Sequence, residues 1–144
     1  MTTENTGPYL TVAAICEKVL QEKDETISMI RMIDRLAVPV NALGSPQTMP
    51  PTATNFTILI SFKSGKARGS NTIRLRPEAP SGLKFPDQLL PVLFEGEDRG
   101  VNLILNLNLV VEQEGVYWFD VLLEEQLLTR IPLRILYQRL GQSA

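Results

Sequence analysis

The sequence predicts an antiparallel β-sandwich of about eight strands, and three observations carry that expectation. Between residues 101 and 137, three apolar runs alternate with period two and are parted by short polar stretches, the pattern of strands with one buried and one wet face. Proline and glycine punctuate the rest of the chain at strand-length intervals, as turns between short strands require. The connections between the C-terminal runs are also too short for a parallel crossover, which takes about a dozen residues.

In chain order, residues 1–8 are polar and read as a flexible N-terminus to a single domain over 9–140. From Tyr9 to Leu20 the alternation of Leu10, Val12 and Ala14 suits a strand, while Ala13, Cys16 and Leu20 also suit a helix. The reading adopted is a strand through Cys16 followed by a short turn. Between Thr26 and Val38, Ile27, Ile30, Ile33 and Leu36 fit one helical face, but Met29, Met32 and Val38 fill the others. That β-branched content, with Pro39 behind it, favours a strand buried on both sides or bulged midway; a helix stays open as the alternative.

Residues 39–54 contain Pro39, Gly44, Pro46, Pro50 and Pro51 and read as an irregular crossing between two sheets. Phe56, Ile58, Ile60 and Phe62 define a strand, residues 64–70 a turn, and Ile73 and Leu75 a shorter returning strand ended by Pro77, together a hairpin. Residues 80–86 are loop, Leu89 to Phe94 a strand despite Pro91, and 95–100 a polar turn.

In the C-terminal third, Val101, Leu103, Leu105, Leu107, Leu109 and Val111 face inward and Asn102, Asn106 and Asn108 outward. The second run places Tyr117, Phe119, Val121 and Leu123 inward, opposite Trp118, Asp120 and Leu122. The third buries Ile131, Leu133, Ile135 and Tyr137 and turns Arg130, Pro132 and Arg134 out. Loops this short imply antiparallel pairing of successive runs. Pro132 cannot donate a ladder hydrogen bond, so the last strand is expected at an edge or with a bulge there.

One local feature sharpens the class. In immunoglobulin-like sandwiches a tyrosine near the start of one strand bonds back across the preceding corner, two residues before the inward position that antibody domains fill with cysteine. In the stretch 114–119, Tyr117 stands in the tyrosine place and Phe119 in the cysteine place. An ordinary buried tyrosine after a glycine turn has the same sequence, and the matching tryptophan and second cysteine of antibody domains are absent. The expectation is an immunoglobulin-like sandwich.

The chain also resembles an uncharacterised family of small bacterial all-β domains with no assigned function. The resemblance lies in residues 14–17 and 27–35, around Cys16 and Arg31, and in 115–121 and 130–134, around Tyr117 and Pro132. It implies a bacterial or phage origin and an all-β fold, and it brings no catalytic residues.

Composition narrows the chemistry. The 144 residues suffice for one domain that buries roughly two-thirds of its unfolded surface. Lys plus Arg total 14 against 16 Asp plus Glu, a balance that disfavours a whole-surface affinity for nucleic acid or anionic membrane. The apolar runs stop well short of the ~18 residues of a membrane span. A lone cysteine and no basic, apolar leader point to the cytoplasm,.

With no histidine in the chain, triads that rely on an imidazole base and the common zinc sites are excluded. No cofactor and no metal are expected. Cys16, set in an apolar run, reads as a small core residue, since a reactive thiolate needs an electropositive, accessible setting. The carboxylates Asp24 and Glu25, and Glu95, Glu97 and Asp98, read as solvated turn charges, with a calcium site as the alternative.

Two surfaces remain. Lys63, Lys66, Arg68, Arg74 and Arg76 make the 63–76 hairpin basic, a candidate for a small anionic ligand or nucleic acid. Its glycines lack phosphate-loop spacing, and no aromatic residues interleave the cations, so a solubilising hairpin is the plainer reading. Ile104, Val110, Trp118 and Leu122 leave apolar area on the outward side of the C-terminal strands, a candidate partner surface unless the N-terminal segment or the 39–54 crossing covers it. An open edge next to Pro132 or at the N-terminal strand would also offer strand addition to a partner or a second copy. A non-enzymatic interaction or structural module is therefore expected first, an anion-binding domain second and an enzyme third.

Overall fold

Period-two burial extends through most of the chain. The computed structural model describes residues 6–40 and 49–139 and contains β1 (Tyr9–Gln21), β2 (Ile27–Met32), β3 (Arg35–Val40), β4 (Thr52–Lys63), β5 (Arg68–Glu78), β6 (Gln88–Glu95), β7 (Gly100–Val111), β8 (Gly115–Leu123) and β9 (Gln126–Arg139). The described residues thus hold nine strands rather than about eight. They form a first sheet in the order β2-β1-β4-β7 and a second in the order β3-β9-β8-β5-β6. The second sheet is mixed, because β3 runs parallel to β9.

The inward faces of both sheets share one buried cluster. Phe56, Ile58, Ile60 and Phe62 of β4 meet Ile73 and Leu75 of β5, Phe94 of β6, Tyr117, Phe119 and Val121 of β8, and Leu133 and Ile135 of β9. Two edge-to-face aromatic pairs cross from sheet to sheet: Phe56 with Phe119 and Phe62 with Phe94, each with ring centroids 5.5 Å apart. That geometry sets the positive edge of one ring against the negative face of the other and adds about 0.5–1.5 kcal/mol per pair beyond area burial.

Several expectations need correction. The segment from Thr26 to Val38 is neither a helix nor one strand: β2 is an edge of the first sheet and β3 an edge of the second. The change of sheet occurs just past Arg31, whose φ is 55°, where the Ile33 N–H donates to the Ile15 carbonyl and the Arg134 N–H to the Asp34 carbonyl. Apolar residues fill every helical face because the segment is two short strands in two different sheets: Val38 is buried, Ile27, Met29, Ile30, Ile33 and Leu36 are half-buried, and Met32 is exposed. The 56–76 hairpin is not a hairpin, since β4 and β5 lie in opposite sheets, and so do β7 and β8. Alternation fixes which side chains go inward, and an arch between sheets satisfies it as well as a hairpin within one.

β9 is flanked by β8 and β3 and is not an edge strand. β3 joins it only from Arg134 onward, however, so Pro132 lies on a stretch with a neighbour on one side. The other strand prolines obey the same rule: Pro39 and Pro91 are on edge strands, and Pro77 lies beyond Leu75, where β6 pairing ends. A residue without an N–H is tolerated where the ladder asks for none.

β1 runs on to Gln21, past the turn expected after Cys16. At its other end the Lys66 N–H donates to the Thr6 carbonyl at 2.8 Å. The backbones approach so closely that a Cβ on Gly7 would lie 2.5 Å from the Ser64 carbonyl oxygen. Residues 6–8 are thus held against the β4–β5 turn, while residues 1–5 of the expected flexible terminus lie outside the described residues. So do 41–48, most of the expected crossing, and residue 140.

Candidate interaction surfaces

The corner formed by residues 112–114 places β8 on the second sheet directly after β7 on the first. Tyr117, 1% exposed, donates its hydroxyl to the Gln113 carbonyl at 2.9 Å and accepts the Gln113 N–H at 3.3 Å. Burial pushes the phenol pKa up, which keeps it a donor. Phe119, two residues on, faces Phe56 across the core.

The four residues of the expected apolar surface do not meet. Ile104 and Val110 belong to β7 and Trp118 and Leu122 to β8, on the outer sides of opposite sheets. Val110 is exposed and Ile104 half-buried beside Leu59. Leu122 is only 8% exposed, although it lies outside the core cluster and opposite Arg74 of β5. Trp118 is half-buried, with the Arg130 guanidinium 4.6 Å above its ring, a cation–π contact. Arg130 also donates to Asp120 at 2.7 Å and Glu78 at 2.9 Å.

The five basic residues separate as well. Lys66 and Arg68 line a shallow depression of about 590 Å³ at one end of the molecule, together with Tyr9, Glu97 and Asp98, and Arg68 reaches Glu97 at 3.6 Å. Lys63 ends β4 nearby. Arg74 and Arg76 lie farther along β5 on the outer side of the second sheet, where Asp87 accepts two bonds from Arg76, at 3.1 and 3.2 Å, and faces Arg74 at 3.6 Å. The Arg76 bond and the two guanidinium charges hold the Asp87 carboxyl below its ordinary pKa against a desolvation cost. Three of the five cations therefore already have carboxylate partners.

The acidic turn residues are similarly engaged: Asp24 accepts from the Thr26 N–H and hydroxyl, and Glu95 pairs with Arg99. Among the described residues no group of three or more acidic or cysteine side chains could hold a metal ion. Cys16 is fully buried, and that burial pushes its thiol pKa up.

One surface escapes sequence reasoning. On β6, Leu89 and Leu93 are 59% and 54% exposed, with exposed Pro91 between them. By register these three oppose Arg74, Ser70 and Thr72 of β5, which puts them in one stripe on the outer side of the second sheet. Every residue from Leu89 to Phe94 is apolar, so no alternation marks which side is buried.

Comparison with known proteins returns no match among curated proteins. Among solved structures, an immunoglobulin-like protein from Pseudomonas aeruginosa is similar at 10% identity, with a TM-score of 0.41, over 90% of this chain and 96% of that one. The pattern of a family of unknown function, DUF6941, matches residues 11–136. The chain belongs to that family.

Proposed function

We propose that this protein is an immunoglobulin-like β-sandwich that works in the cytoplasm as a non-enzymatic interaction module. The fold reading rests on the Tyr117 corner, on Phe56 and Phe119 packed between the sheets where antibody domains place a disulfide, and on β3 running parallel beside β9 at a sheet edge.

The observation that carries the functional reading is the stripe of Leu89, Pro91 and Leu93. Three consecutive outward positions of an edge strand are apolar and exposed, whereas the neighbouring outer surface of the same sheet is tied up in ion pairs. Such a stripe, rimmed by polar groups, suits the desolvated centre of a protein–protein contact. The anion-binding reading is weaker, because Arg68, Arg74 and Arg76 face carboxylates that an incoming anion must displace.

The test is in-cell crosslinking of the full chain and of a Leu89→Glu, Leu93→Glu variant, followed by direct binding measurements on whatever is captured. The expected result is a partner whose affinity falls about tenfold or more in the variant, with the melting temperature unchanged. Binding that survives this variant but vanishes at raised salt and on Arg74→Ala with Arg76→Ala would favour the anionic ligand instead.

A further inference from the structure

Among the described residues the open sheet edges are guarded, with one exception. β2 and β3 are six residues each; β2 holds Arg31 at φ 55°, and β3 holds Pro39. β6 carries Pro91. The part of β1 that β2 does not reach contains a register shift between Leu10 and Val12, and the part of β9 that β3 does not reach contains Pro132. Short length, proline, bulges and charge are the devices by which edges avoid pairing with other chains.

β7 has none of them. It is twelve residues long, Gly100–Val111, and contains no proline and no charged side chain. Its pairing with β4 runs without a register shift from Gly100 opposite Lys63 to Val111 opposite Thr52. Among the described residues no strand pairs with its other side, so about half of its backbone N–H and C=O groups point away from the sheet along roughly 40 Å of unbroken edge.

Its outer side chains fit the same picture. Asn102, Asn106, Asn108 and Val110 are exposed. Asn102 and Asn106 use their Oδ1 atoms to accept from Ser61 at 2.7 Å and Thr57 at 2.9 Å, and their amide N–H groups have no partner among the described residues.

We infer that β7 is a homodimerisation edge, which pairs antiparallel with β7 of a second copy to join two first sheets into one. A second copy fits because β7 carries no charged side chain of its own, so the paired strands bring no like charges together, and the amide N–H groups of Asn102 and Asn106 offer donors to the facing strand. Antiparallel pairing of identical edges is isologous and closes after two copies. The β7 edge belongs to the first sheet, whereas the β6 stripe lies on the outer side of the second.

The test is sedimentation equilibrium of the full chain over a dilution series, with hydrogen exchange followed on β7 peptides. Expected are a mass that doubles with concentration and slower exchange in β7 as it does so. Asn108→Lys with Val110→Lys, both exposed positions, should raise the dissociation constant about tenfold or more while leaving the melting temperature of the monomer in place. The control Leu93→Lys on β6 should leave the dimer intact. A monomer at every concentration, a dimer that persists in the β7 variant, or growth beyond two copies would each overturn the assignment, and none of them bears on the β6 partner test.

Discussion

The two sheets finish their outer sides with different interactions. On the first sheet, neutral groups meet in register: Thr57 with Asn106 and Ser61 with Asn102, on either side of the row in which Leu59 stands between Ala14 and Ile104. On the second, a chain of charges crosses four segments, from Asp87 to Arg76 and Arg74 on β5, and from Glu78 and Asp120 to Arg130 of β9. The neutral side depends on short hydrogen bonds and packing, which salt and pH barely alter. The ionic side depends on pairs that both weaken. Each design also sets what lies beside it, since the neutral pattern runs out to the unguarded β7 and the ionic one to β6 with its proline.

The largest effect that can break this comparison comes from Leu59. Although it sits on the outer side, it is only 4% exposed, in register between Ala14 and Ile104. Leu59→Ala should cost about 2–3 kcal/mol, equally at low and at molar salt, in urea unfolding. A cost under about 0.5 kcal/mol would mean that this side behaves as ordinary surface.

The inward positions of β7, β8 and β9 are readable in the sequence because polar residues interrupt the apolar ones at every second place. Leu59 is harder to read, since Phe56, Ile58, Ile60 and Phe62 claim the core side and nothing local tells that their neighbour is covered too. Strand pairing is legible only where the turn decides it: β8 and β9 form the expected hairpin, whereas the β4–β5 and β7–β8 turns cross between sheets. The surfaces fared least well. Asp87 sits opposite Arg76 only once the β5–β6 register, which pairs Leu75 with Gln88, is known, and the Trp118 side is closed by Arg130, a residue that β9 brings from beyond the turn.

A smaller effect is expected on the ionic side. Arg130→Met leaves Asp120 and Glu78, whose side chains are 18% and 22% exposed, without their shared cation, and keeps an unbranched side chain over Trp118. The variant should be less stable than the parent at low salt, by less than Leu59→Ala, and the difference should shrink in molar salt as screening weakens the parent's own pairs. A deficit that does not change with salt would assign Arg130 to packing on Trp118.

The smallest effect, and the one that separates the two sides by pH, belongs to Asp87. Its folded pKa is depressed, first by the Arg76 hydrogen bond and also by the Arg76 and Arg74 charges. Its contribution is therefore fully present above the unfolded value of about 3.9 and is lost as pH falls through the lower folded value. Asp87→Asn should accordingly be less stable than the parent at neutral pH, with the two stability curves converging as the solution is acidified below about pH 4. Asp24 is depressed too, chiefly by the Thr26 hydroxyl, so acid lability of the parent reports on both residues and only the difference from the Asn variant isolates Asp87. If that difference stayed constant from neutral pH down to strong acid, the stabilisation would lie in the shape of the Asp87 loop and not in its charge. The Asp87 end of the second sheet would then rely on neutral contacts, as the first sheet does.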